Sequence, residues 1–239
     1  MSMLRAPEFR PNSGLAANDP LHIWVRPSSE DRYVVGADVA EGLEHGDYSV
    51  AQVLSVRSGQ QVAMWHGHIA PDEFADELSK LGRFYNNALV GVEANNHGLT
   101  TVTALRNLHY PAIYRDRTVD QVTNKAKNRL GWFTSRTSKP LMIDELAMAL
   151  KAGELCIYDK RTIAELKTYV RDEKGSMHGS PHDDTVMALA IANQMRKFTF
   201  MPEYREQPDD YWSFEWFRRQ GNEEKRPTWQ IGSGNTRRR

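Results

Sequence analysis

The chain has 239 residues, as many basic as acidic side chains, 40% hydrophobic and 26% charged residues, and a single cysteine. That length suits one sizeable domain with extensions, or two small ones, and either can bury a core without covalent staples. Cys156 alone can make neither an internal disulfide nor a cysteine-based zinc site. No apolar run approaches the roughly 20 residues that span a bilayer. The opening MSMLRAPEFRPNSG lacks an apolar signal-peptide core, so a soluble intracellular protein is the expectation.

Residues 1–30, rich in Pro, Asn, Ser and Ala, read as a linker or arm with one edge strand in the burst Leu21–Val25. Residues 31–198 carry dense periodic apolar positions and form the body. Tyr33–Ala37 is a short strand that ends on Asp38. Tyr48–Val56 and Gln61–Ile69, joined by the turn Arg57-Ser58-Gly59-Gln60, read as an antiparallel hairpin. Pro71 opens a helix with Phe74, Leu78, Leu81 and Tyr85 at helical spacing, and Asn86-Asn87 closes it.

Ala88–Val92 is a compact strand ending on Glu93, and a helix from about Leu99 to Leu108 follows. After a short strand at Ala112–Tyr114 and a basic insertion, helices are expected at Leu141–Lys151 and Arg161–Val170, with Leu155–Tyr158 extended between them. A Gly/Ser/His loop, Gly175–Pro181, leads into His182-Asp183-Asp184 and a last helix. This order predicts an α/β fold: a mixed sheet, antiparallel on the hairpin side and parallel on the other, with helices on both faces. Residues 199–239 form a tail with Trp212, Trp216 and Trp229, apolar enough to dock on the body, another subunit or a partner, and ending in Arg237–Arg239.

The charge is unevenly spread. Arg115–Lys139 holds seven Lys/Arg against Asp116 and Asp120, a local excess of +5, and such an element beside an acidic body suits an enzyme acting on a polyanion. Lys125, Lys127, Arg129, Arg136 and Lys139 are the candidate phosphate contacts, made without reading bases. Trp132 reads as a packing residue of a hairpin strand Gly131–Thr134.

Asp38 and Glu93 end two strands, and Asp183 and Asp184 begin the last helix. Functional groups gather at the carboxyl ends of strands in an open α/β sheet. If the two strands are neighbours, about 4.8 Å apart, their acids converge. Carboxylates so placed repel one another unless hard divalent cations join them, and Mg²⁺ takes oxygen ligands while leaving room for phosphate. Two ions roughly 3.5–4 Å apart support in-line phosphoryl displacement. Each acid also has a plain structural reading: Asp183 and Asp184 would cap a helix and complement its dipole. A zinc pair at His178 and His182 is disfavoured by Gly179, Ser180 and Pro181 between them.

The run Tyr33–Gly42 followed by Gly46-Asp47-Tyr48-Ser49, then Val92–Gly98, Gly131–Thr134 with Thr137–Leu141, and finally His182–Ala190, resembles the nuclease domain of viral terminase large subunits, in that family's order. The resemblance implies a ribonuclease H-like fold and metal-dependent endonuclease cleavage of concatemeric viral double-stranded DNA during genome packaging. It implies Asp38, Glu93, Asp183 and Asp184 as catalytic metal ligands for two Mg²⁺ or Mn²⁺ ions, with Asp47 flanking them and His182 holding its loop. It further implies the terminase ATPase motor, small subunit and portal protein as partners, possible oligomers in the packaging motor, no membrane, and the host cytoplasm as location. The chain has no G-x-x-x-x-G-K-[ST] phosphate loop, so no ATPase is expected of it. A junction resolvase or transposase, or a non-catalytic DNA- or portal-docking module, would share much of this pattern.

Overall fold

A computed structural model describes residues 19–43, 46–119, 126–171, 177–179 and 182–199, all within one compact unit, Met1–Phe200. The tail expected at residues 199–239 lies outside the described residues, apart from Thr199. So do most of the arm and the first basic candidate, Lys125.

Strands β1 (Leu21–Ile23), β2 (Tyr33–Asp38), β3 (Ser49–Ser55), β4 (Gln61–Gly67) and β5 (Leu89–Val92) form one sheet in the order β1-β4-β3-β2-β5. Only β2 and β5 run parallel, with Gly36 opposite Gly91 and Ala37 opposite Val92. Every residue of β3 is buried, because both faces of the sheet are covered. On one face Val35, Ala37, Val53, Trp65 and Val92 meet α1 (Pro71–Phe84) and α2 (Gly98–Asn107). The helical spacing read from sequence holds here: Phe74 and Leu78 are fully buried, each contributing about 1.5–3 kcal/mol of apolar burial. Asn86 and Asn87 end that helix with φ of 57° and 56°, a left-handed conformation that Asn tolerates.

On the other face, Val34 and Leu54 pack against α3 (Ser138–Lys151) and α5 (Asp184–Thr199), and α4 (Lys160–Thr168) lies against α5. Residues 184–195 of α5 are all buried, the mark of a helix enclosed on every side. Its close approach depends on two glycines in register. A Cβ on Gly36 would strike the backbone of Ala188 and Ala192, and one on Gly91 would strike the Met195 side chain. This seating fixes where the N-terminus of α5 lies relative to the end of β2.

The basic insertion differs from its reading. The hairpin is β6 (Arg115–Val119) with β7 (Ala126–Leu130), and Gly131–Thr134 is not one of its strands. Gly131, at φ 89°, breaks the strand, and Trp132 turns back to the sheet, where its N–H donates to Val92 O at 2.7 Å. Trp132 is partly buried and its ring lies 5.8 Å from that of Tyr114, a packing role. The expected strand at Ala112–Tyr114 reduces to a bridge between Ile113 and Val90. Helix α4 stops at Thr168, two residues short of expectation. Val170–Arg171 (β8) then pairs with Met177–His178 (β9), a small hairpin that the sequence did not signal.

Candidate metal centre

Because Ala37 is paired with Val92, the next residue on each strand, Asp38 and Glu93, leaves the sheet at the same level. The Glu93 N–H donates to Ala37 O at 2.8 Å and locks that register. Loops beyond both strands and the first turn of α5 enclose a cavity of about 520 Å³. Asp38, Asp47, Glu93, Asp183 and Asp184 all line it, with Lys139, Tyr48 and Asn95. The four acids singled out as metal ligands therefore share one cavity, although they lie up to 146 positions apart in sequence.

Each acid is held differently. Burial raises Asp38 well above the usual carboxylate range, and the adjoining Glu93 carboxylate, in hydrogen-bonding contact, and then Asp184 and Asp183 push it further. Glu93 Oε1 accepts from Asn95 Nδ2 at 3.2 Å, and the same amide nitrogen donates to Thr134 O at 2.9 Å. Asp184 Oδ2 accepts the Tyr48 N–H at 3.0 Å. Burial lifts Asp184 to about 6; the Tyr48 N–H opposes the rise, and the charges of Asp47, Glu165 and Asp183 add to it. Asp183 Oδ2 lies 3.1 Å from Lys139 Nζ.

That contact places Lys139 at the acidic cavity rather than on the hairpin that carries Lys127 and Arg129. The helix begins at Ser138, three residues before the expected start, so Lys139 sits in its first turn and reaches the acids. Arg129 is engaged within its own region, stacked 3.8 Å over the Phe133 ring and 3.1 Å from Asp116 Oδ2. Arg136 is exposed. The side chains of Lys125, Lys127 and His178 lie outside the described residues.

Asp47, His182 and Asp184 each offer a donor atom within 4.8 Å of the others, and His182 Nδ1 is 3.4 Å from Asp47 Oδ1. Tyr48 carries this corner: its ring lies 4.2 Å from that of His66, 4.1 Å from that of His68 and 6.1 Å edge-on to that of His182. Burial, together with nearby Arg161, lowers His66 to about 4, so it is neutral at pH 7. The donor set is dominated by carboxylate oxygens, and the elevation of Asp38 and Asp184 by burial and by neighbouring acids is the cost that a divalent cation removes. These residues fit such an ion. Asn95, Tyr48 and Glu165 were not singled out from sequence. Asn95 carried a signal in its place two residues after the strand-end Glu93, whereas the other two act through contacts that span 136 and 20 residues.

The mixed five-stranded sheet covered by helices on both faces is a ribonuclease H-like fold, with the acids at the carboxyl ends of its two parallel strands. No family profile matches the sequence, and no curated protein does. Among solved structures, the large terminase nuclease from thermophilic phage G20c with bound magnesium is 21% identical at a TM-score of 0.60, over 80% of this chain and 93% of that one. The cobalt-bound form of that nuclease is 22% identical at 0.61, over 80% and 93%. The large terminase nuclease domain of Thermus phage P74-26 is 21% identical at 0.56, over 80% and 90%. This chain thus shares the fold of terminase nuclease domains.

Proposed function

We propose that the protein is a metal-dependent endodeoxyribonuclease of the terminase type, cleaving concatemeric viral double-stranded DNA during genome packaging. The observation that carries this reading is the convergence of Asp38, Glu93, Asp183 and Asp184 on one cavity within a fold shared with terminase nucleases. Two Mg²⁺ or Mn²⁺ ions are the proposed cofactors, with Asp38, Glu93, Asp183 and Asp184 as ligands. Bound there, such ions would lower the pKa of an attacking water and stabilise the leaving oxygen of an in-line displacement.

The chain's own groups supply positioning. Asp38 and Glu93, fixed by strand pairing, form one wall of the cavity, and the first turn of α5 forms another. Asn95 orients Glu93, and the Tyr48 N–H orients Asp184. Lys139 brings a positive charge to the rim, where a scissile phosphate needs one. Asp47 and His182 brace the same corner. Lys125, Lys127, Arg129 and Arg136 are proposed to hold the duplex through its phosphates. The ATPase motor, small subunit and portal protein are the proposed partners, in the host cytoplasm.

Plasmid nicking by wild type, Asp38→Ala, Glu93→Ala and Asp184→Ala, with and without EDTA, tests the reading. Cation-dependent nicking by wild type and none by the folded variants is the expected result. No nicking by wild type would leave a docking module, and strong preference for four-way junctions would indicate a resolvase.

A further inference from the structure

Asp183 precedes helix α5 and Asp184 opens it, and the free N–H groups of a helix start would ordinarily be capped by just such residues. They are not. Asp184 gives its Oδ2 to the Tyr48 N–H, and Asp183 gives its Oδ2 to Lys139. The cap comes from another helix. Glu165, on α4, presents Oε2 to the Thr185 N–H at 3.0 Å, the Thr185 hydroxyl at 2.6 Å and the Val186 N–H at 3.4 Å.

The platform behind Glu165 is itself anchored. Asp159 caps α4 by accepting the Thr162 N–H at 2.8 Å. Gln52 of β3 spans the two helices, its Nε2 donating to Thr162 Oγ1 at 2.9 Å and to Thr185 O at 3.3 Å. Thr185 is thus gripped from α4 and from the sheet, and it directly follows the two acids. Placing a third carboxylate beside Asp183 and Asp184 is electrostatically unfavourable: burial and the Asp183 charge both raise Glu165 above its ordinary range, against the hydrogen bonds it accepts. A neutral residue would cap the helix without that cost.

We propose that Glu165 is a positioning residue that caps α5 from outside and so leaves the Asp183 and Asp184 carboxylates free to face the cation cavity. The inference rests on the metal-centre reading of those acids and deepens it. Without Glu165 the N–H groups of Thr185 and Val186 lose their acceptor, the Asp183 carboxylate, at the position just before the helix, turns to cap them, and the cation site loses a ligand. The physical kinship is with second-layer partners of metal ligands, whose removal typically costs about 10–100-fold in affinity or activity.

The test uses the full chain, with Mn²⁺ alone as probe in calorimetric titration and thermal melting in EDTA as the measure of folding. Glu165→Ala is expected to weaken Mn²⁺ binding about tenfold or more at a temperature where it remains folded. Glu165→Gln, which keeps the acceptor oxygen, is expected to restore binding to within about threefold of wild type. Thr185→Val removes only the hydroxyl contact, so it should fall between them, and it decides the matter if Glu165→Ala does not fold. A purely architectural role predicts lower melting temperatures with unchanged Mn²⁺ affinity, and that result overturns the inference. Wild type that binds Mn²⁺ but nicks no DNA would sink the nuclease proposal alone; wild type that binds no Mn²⁺ would sink both.

Discussion

The acidic cavity and the basic hairpin carry opposite charge, and they are built on opposite principles. At the cavity three of the four carboxylates are held by a donor from outside the acidic cluster: Asn95 for Glu93, Tyr48 for Asp184, Lys139 for Asp183. Their positions are set by the core beneath, through β2, β5 and the glycine-seated α5. In the hairpin, among the described residues, β6 and β7 pair only with each other, apart from the Arg115–Gly131 bridge at their base. Arg129 of β7 is occupied by Asp116 and Phe133, while Arg136, between the hairpin and α3, is exposed. Chemistry that needs ligand atoms placed within a fraction of an ångström belongs on the first kind of framework. Sequence-independent phosphate attraction tolerates the second.

The comparison breaks most visibly at Asp38. Asp38→Asn is expected to abolish cation-dependent nicking while raising the melting temperature in EDTA by about 2–4 °C, since a buried repulsive charge is removed. A lower melting temperature would mean that the cavity carboxylates support the fold rather than strain it. For the basic insertion, charge reversal at Lys127 of β7 and at Arg136 beyond it should together weaken duplex binding about tenfold without altering stability. The slope of log affinity against log salt should fall by about 2, read by fluorescence anisotropy. An unchanged slope would remove the basic insertion from the DNA path.

A pH series sharpens the cavity side. Asp184, lifted to about 6, still holds its proton in the folded chain at pH values where the unfolded chain has released it. The folded state therefore binds more protons over that interval, and stability is lost as pH rises from about 4 through 6. Comparison with Asp184→Asn cancels the other titrations: in EDTA the variant should melt above wild type at pH 8 and level with it below pH 4. A gap that widened toward acid would reverse the sign and refute the burial argument. The smallest effect concerns Lys139, which competes with cations for Asp183. Lys139→Ala should tighten Mn²⁺ binding about threefold in calorimetry, in keeping with a partly exposed ion pair.

The sequence by itself determined the strands that end on acids, because alternating and continuous apolar runs stop abruptly at Asp38 and Glu93. It determined α1 through the spacing of Phe74, Leu78 and Leu81, and the mixed sheet through the order of hairpin and helices. All of these are short-range signals, since burial on one face imposes a period along the chain. Local pattern misled at Gly131–Thr134, where apolar β-formers suggested a hairpin strand but a positive φ turns the chain back to bridge Glu93. The pattern was equally silent about whether Asp183 and Asp184 cap their helix or face a cavity, because a carboxylate at a helix start serves either purpose. Only the tertiary structure decided that, through Glu165, Tyr48 and Lys139. Hydrogen bonds between residues 20, 136 and 44 positions apart leave no period in the chain, and they exist only once the core has set the elements side by side.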